Sequence, residues 1–366
     1  MIYFDNSATT LPCETAVNSF NSAILKFGNP SSLHKLGIES EKILSAARTS
    51  VAYALDCRDD EIFFTSGATE SNNLSLFGSA ETYGKRKTKI IASNIEHPSV
   101  TMPLKKLSEK YDVVFCNPDE IIKNTDENTC LVSVQLVNNE TGRCLPVSEI
   151  FDEIKCKFPH IITHCDATQG FLKIPINVYN LQADLISISA HKVHSVKGVG
   201  SLYVKKGIRL APLFYGGGQE KNIRPGTENV PGIAAFGDTV FEFFKHREEN
   251  YEIVYDLNKY LRKKLAELDF ITINSVGDCI PHIINFSVKN VKSETMLHFL
   301  ENKEIYISSG SACSRGKKSE VLKNMGLSDY IVDSALRTSF SHFNTKDEID
   351  IFVKEITNGY LRILKK

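Results

Sequence analysis

Short runs rich in β-branched and aromatic residues at 61–65, 89–93, 129–137, 161–165, 184–189 and 201–204 read as strands, with helical patterns between several of them. That alternation predicts an α/β domain on a mainly parallel central sheet. From about 233 to 268 the pattern turns helical for a long stretch, which leads out of this domain. Beyond it, 281–288 reads as a strand, 293–301 as a helix and 337–340 as a strand, and Thr345-Lys-Asp-Glu348 resembles a capping box opening the last helix. At 366 residues the chain has room for both: a large domain over 14–245, and a smaller α+β domain from 1–13 and 246–366.

Lys and Arg total 43 against 44 for Asp and Glu, so no charge excess argues for nucleic acid or an anionic membrane as a direct partner. No apolar run approaches the ~20 residues needed to cross a bilayer. The start, Met1-Ile-Tyr-Phe-Asp5, lacks the basic and apolar regions of a secretory signal. A cytoplasmic address is expected, and nine cysteines without paired spacing fit reduced thiols there. Cys130 and Cys165 stand in apolar surroundings and read as buried small hydrophobes.

Chemistry concentrates where predicted strands end. Ser189-Ala-His-Lys192 follows one strand, and His164-Cys-Asp-Ala-Thr-Gln-Gly170 closes another, bringing Lys192, Asp166 and Gln169 to one sheet edge. A lysine that can hold an aldehyde, with a carboxylate for a pyridine nitrogen, suggests pyridoxal 5'-phosphate. Taken singly, Lys192 could be a solvated loop residue and Asp166 a turn cap. Strand 61–65 runs into Ser66-Gly-Ala-Thr-Glu-Ser71, where Gly67, a helix N-terminus and the Thr69 hydroxyl make an anion site, or else an ordinary capped connection.

His97, in Asn94-Ile-Glu-His-Pro98, is placed to stack on a pyridine ring or to handle protons, if it is not merely structural. Asn138-Asn139 ends a further strand with amides suited to a phenol oxygen or a substrate carboxylate, and is also a plain turn signal. The glycine-rich 216–229 reads as paired turns or a surface loop. Cys313 differs from the other cysteines: it lies among small and polar residues beside Arg315 and Lys317, whose charges favour a thiolate.

Taken together these residues resemble the cysteine desulfurase family, the NifS/IscS-like branch of the class V aminotransferases. The likeness runs nearly end to end, through Tyr3-Phe-Asp-Asn-Ser-Ala-Thr-Thr10, Gly28-Asn-Pro-Ser-Ser-Leu-His34, Thr65-Ser-Gly-Ala-Thr-Glu-Ser-Asn-Asn73, Asp166-Ala-Thr-Gln169, Ser189-Ala-His-Lys192, 216–229, Ser309-Gly-Ser-Ala-Cys313 and Arg337-Thr-Ser-Phe340. The resemblance implies the fold type I of pyridoxal-phosphate-dependent transferases, with the cofactor on the large domain and the cysteine loop on the small one. It implies that Lys192 forms the internal imine, Asp166 pairs with the ring nitrogen, His97 stacks on the ring, and Asn139 and Gln169 approach the phenol oxygen. Ala68, Thr69, Ser189 and His191 would hold the phosphate, and Thr227 would reach the phosphate of a neighbouring subunit in a homodimer. Arg337, helped by Asn139, would clamp the substrate carboxylate. No metal is implied.

The implied reaction turns L-cysteine into L-alanine. Lys192 moves the α-proton, and Cys313 takes the sulfur as a persulfide for a protein acceptor, an iron–sulfur scaffold or a tRNA-thiolation enzyme. Two departures stand out. Ser195-Val196 replaces a usual Gly-Pro pair, and the cysteine loop is basic where many relatives are neutral. The short C-terminus leans towards tRNA thiolation or general sulfur donation. Competing readings are another reaction on the same fold (selenocysteine lyase, cysteine lyase or aminotransferase) and a silent sulfur-relay scaffold.

Overall fold

A computed structural model describes residues 1–309 and 318–364. Two compact units emerge: one from Met1–Thr10, Val137–Cys144 and His246–Lys366, the other from Leu11–Leu136 and Leu145–Lys245. In chain order the strands are β1 (Ile2–Tyr3), β2 (Ile62–Thr65), β3 (Lys89–Ser93), β4 (Asp112–Cys116), β5 (Thr129–Gln135), β6 (Ile162–Asp166), β7 (Leu185–Ser189), β8 (Gly200–Val204), β9 (Ile271–Ile273), β10 (Ile283–Val288), β11 (Ile305–Tyr306), β12 (Ser308–Ser309) and β13 (Ala335–Ser339).

The larger unit holds a seven-stranded sheet in the order β2-β8-β7-β6-β5-β3-β4. Pairings from β7 through β4 are parallel, while β8 is antiparallel to both its neighbours, so β2 runs with the parallel set. Strands such as Leu-Ile-Ser-Ile-Ser in β7 are buried at every position, the pattern of a sheet covered on both faces. Helices α1 (Glu14–Ile24), α2 (Lys35–Leu55), α3 (Ala68–Tyr83), α4 (Pro98–Leu107), α5 (Ile121–Asn124), α6 (Val147–Lys157) and α7 (Val230–Lys245) accompany it. Leu74, Leu76 and Ala80 of α3 join Ile90, Leu131, Leu185 and Leu202 of the strands in one apolar core. This topology sends Thr65, Ser93, Gln135, Asp166 and Ser189 to the C-terminal edge of the sheet, where open α/β sheets bind ligands.

The smaller unit has an antiparallel sheet ordered β12-β13-β10-β9 and a two-stranded parallel pair, β1 with β11. Around it lie α8 (Arg247–Ala266), α9 (Ser293–Glu301), α10 (Glu320–Asn324), α11 (Asp329–Asp333) and α12 (Lys346–Leu364). Phe4 is fully buried and meets Phe340 and Phe352 edge to face, at 5.1 and 5.5 Å, which fastens the N-terminal segment into this core.

Several details differ from the sequence pattern, among them the short strands β1, β9, β11 and β12, which are too short for a β-rich run to mark them. The single helical stretch expected over 233–268 is two helices, α7 and α8, broken at His246, whose backbone leaves the helical region at ψ 12°. Strand β4 was not anticipated. As the sheet's edge it is only half-buried and opens on a charged residue, which weakens the apolar signal. No helix among the described residues is long and apolar enough to cross a membrane.

Candidate active site

At one end of the sheet edge the structure leaves donors without partners. Strand β2 passes through Ser66-Gly67 into α3, whose N-terminus has no side-chain cap. Its first N–H groups therefore point outward with the positive end of the helix dipole. Gly67 has φ 149°, and a Cβ built on Gly200 of β8 would lie 2.6 Å from its Cα, so two glycines are needed for this turn to close. Ser189 Oγ lies 3.8 Å from where a Cβ on Gly67 would be. That hydroxyl is buried and has no hydrogen-bond partner among the described residues.

Beyond Ser189 the chain turns tightly through Ala190–Lys192, bringing His191 and Lys192 to the same edge. Burial, and then the charges of Lys192, Lys197 and Lys173, push the His191 imidazole down to about 4, so at neutral pH it is an uncharged ring in positive surroundings. A group carrying several anionic oxygens fits this combination of open helix N–H groups, an orphaned hydroxyl and surrounding ammonium charge.

The other end is already bonded. Asp166 Oδ1 accepts the Thr168 N–H at 3.0 Å, and Oδ2 accepts Asn72 Nδ2 at 2.8 Å. His97 is the N-cap of α4, its Nδ1 accepting the Ser99 N–H at 3.1 Å. Gln169 is buried, with Oε1 accepting Lys173 Nζ at 2.9 Å. Beside Asp166, burial raises Glu96 to about 8, with Asp166 adding to the rise and donors from Ser93 and the Gln135 N–H opposing it. His164, one strand repeat from Asp166, is buried between Ser133 and Ser187 at 2.8 and 3.0 Å, and burial holds it well below its ordinary value.

The unusual Ser195-Val196 turn has a local solution. His194 takes the left-handed conformation at φ 63°, with Nδ1 2.9 Å from the Leu11 carbonyl oxygen and its ring stacked 5.5 Å from Phe243. The Ser195 N–H then closes on Ala190 O at 3.2 Å, so the reversal after Lys192 forms without a Gly-Pro pair. The glycine-rich 216–229 is fastened by ion pairs. Glu220 meets Arg48 at 2.6 and 2.9 Å and accepts the Phe64 N–H, while Arg224 bonds Glu70 at 2.9 Å. Glu220, Lys221 and Asn222 all have φ between 44° and 66°, a strained run that these bonds hold in place. Thr227 is exposed.

Asn139 and Arg337 belong to the smaller unit. Arg337 is buried, donates to Asp5 Oδ1 and Asn139 O at 2.8 Å each, and keeps Nε buried without a partner among the described residues. Glu140 accepts Ser319 Oγ at 2.5 Å; burial first, against Ser319 and Arg337, raises it to about 7. Cys313 lies outside the described residues. Asn72, Ser99, Glu96 and Glu220 were not singled out from the sequence, although Asn72 stands inside the Thr65–Asn73 motif and Glu96 precedes His97.

Fold and site together define a class V aminotransferase: the model of that family, Aminotransferase class-V, matches residues 2–352, and the chain belongs to it. Members of this family are pyridoxal-phosphate enzymes of fold type I. Among curated relatives, a "NifS/IcsS protein homolog" of Lactobacillus delbrueckii subsp. bulgaricus is 39% identical, covering 100% of this chain and 98% of its own. "Cysteine desulfurase IscS" of Dictyoglomus turgidum is 35% identical over 95% and 92%. A solved "NifS-like protein" superposes with a TM-score of 0.92 at 36% identity, covering 97% and 98%.

Proposed function

We propose that this chain is a cytoplasmic, homodimeric cysteine desulfurase that uses pyridoxal 5'-phosphate to convert L-cysteine to L-alanine and carries the sulfur as a persulfide on Cys313. The observation that carries the reading is the pairing, at one sheet edge, of an oriented Asp166 carboxylate with an uncapped helix N-terminus and the orphaned Ser189 hydroxyl, on the strand that leads to Lys192. When bound, the cofactor supplies an electron sink for bonds at the substrate α-carbon.

In this reading 14–245 form the cofactor-binding domain, and 1–13 with 246–366 carry the cysteine loop. Ala68, Thr69, Ser189 and His191 hold the phosphate, joined by Thr227 of the second subunit. Lys192 holds the aldehyde and moves the α-proton. Asp166 would pair with the ring nitrogen, His97 would stack on the ring, and Asn139 and Gln169 would approach the phenol oxygen. Arg337, whose Nε has no partner among the described residues, would receive the substrate carboxylate. Cys313 thiolate attacks the substrate sulfur, the C–S bond breaks, alanine leaves, and a protein of iron–sulfur assembly or tRNA thiolation takes the sulfur. Leu25, Phe27 and Leu33, exposed at 79%, 82% and 95%, support self-association.

The test is alanine formed from L-cysteine with a thiol reductant. Wild-type protein loaded with cofactor is expected to be active and Cys313→Ala to lose sulfur transfer. Equal alanine production by the two would remove Cys313 from the reaction.

A further inference from the structure

One amide in the larger unit touches Asp166 directly and reaches His97 through a single hydroxyl, that of Ser99. Asn72 sits on the first turns of α3, fully buried, with Nδ2 2.8 Å from Asp166 Oδ2 and 2.8 Å from Ser99 Oγ. Ser99 Oγ in turn lies 2.8 Å from His97 Nδ1. The direction of each bond follows from what the groups can do. A backbone N–H only donates, so the Ser99 amide at 3.1 Å makes His97 Nδ1 an acceptor. An Asn amide nitrogen also only donates, so Ser99 Oγ receives Asn72 and passes its own hydrogen to His97 Nδ1. In the neutral ring the proton is then on Nε2.

We propose that Asn72 is a positioning residue that couples His97 to Asp166, through the chain Asp166 Oδ2, Asn72 Nδ2, Ser99 Oγ, His97 Nδ1. The chain sets the tilt and tautomer of the imidazole and the plane of the carboxylate together, before any cofactor arrives. It needs none of the cofactor's atoms, and all four residues lie in one compact unit. A bland alternative is that Asn72 only fills polar space in the core. One of its donor bonds ends on Asp166 and the other on the hydroxyl that bonds His97, and general core filling gives no reason for that choice. The inference deepens the function proposed above and rests on it only for the roles of Asp166 and His97.

The test uses the full chain stripped of cofactor, with histidine labelled by nitrogen-15 and the His97 signals assigned with His97→Gln. Wild-type protein is expected to show His97 with Nε2 protonated and Nδ1 bare. Asp166→Asn is expected to move the Nδ1 resonance, and in an Asn72→Ala background the same change is expected to move it about fivefold less, the non-additivity of a shared network. An equal movement in both backgrounds overturns the coupling. Ser99→Ala cuts the chain at its other link and serves if Asn72→Ala does not fold; Ser99→Thr restores the hydroxyl and is expected to restore the response. Since no substrate is used, an intact coupling beside absent alanine production would count against the desulfurase reading alone.

Discussion

The two ends of the sheet edge in the larger unit are prepared in opposite ways. At the ring end, Asp166 has a protein donor on each oxygen and His97 has two donors at Nδ1. The atoms there without a partner among the described residues, Asn72 Oδ1, Thr168 Oγ1 and Glu96 Oε2, belong to supporting residues. At the phosphate end two of the groups assigned to the ligand stay open among the described residues: the Ser189 hydroxyl, which has no partner, and the N-terminus of α3, which has no side-chain cap. Geometry at one end is fixed by the protein, while the other end keeps a deficit for an anion to fill. A site divided this way draws binding energy from the phosphate and spends none of it on arranging the groups around the reacting ring.

Breaking the phosphate end should have the largest effect. Gly67→Ala forces a Cβ into a backbone with φ 149°, a strain of about 1–3 kcal/mol, and is expected to weaken pyridoxal-phosphate binding at least tenfold by absorbance titration. The Asp166 and His97 signals should stay as in wild type. Electrostatics at the same end sharpen the contrast. Because burial and lysine charges lower His191 to about 4, the unfolded chain binds a proton below its ordinary 6.5 that the folded chain refuses. Stability of the cofactor-free protein should therefore fall as pH drops from 6.5 towards 4, and bound phosphate should reduce that fall. Denaturant midpoints at stepped pH, with and without pyridoxal phosphate, check it.

A further pH effect, of opposite sign, is expected beside Asp166. Burial raises Glu96 to about 8, so the folded chain holds a proton that the unfolded chain releases above 4.5. The contribution of this group is full below 4.5 and is lost as pH rises through 8, and Glu96→Gln should flatten that decline while leaving His191's acid loss in place. Unfolding curves of the two proteins at pH 6 and 8.5 make the comparison.

The sheet was legible because its strands are buried on both faces, and Asp166, Ser189, Lys192 and His97 stood out as candidates because they lie at or just after the ends of such strands, whereas Thr227 in a loop and Arg337 inside β13 carried no signal beyond the family resemblance. Residues that act through contact at long sequence distance were not legible either. Asn72 meets Ser99 27 positions on and Asp166 94 positions on, and no local pattern encodes either bond. The return of Val137–Cys144 to the smaller unit is equally silent, since it rests on the bridges of Val137 with Cys144 and Arg143 with Cys279. Replacement of the usual Gly-Pro pair by Ser195-Val196 is plain in the sequence, but its remedy, a left-handed His194 held by Leu11, rests on a contact between residues 183 positions apart.

The division between the two ends is tested most directly by unfolding the cofactor-free protein after one truncation at each. Ser189→Ala removes an unpartnered buried hydroxyl and should leave stability unchanged or raised, whereas Asn72→Ala removes the donor to Asp166 and Ser99 and should cost about 1–3 kcal/mol. With pyridoxal phosphate added, Ser189→Ala should bind it more weakly than wild type. If Ser189→Ala destabilises the cofactor-free protein as much as Asn72→Ala does, the phosphate end is not held open for a ligand and the contrast fails.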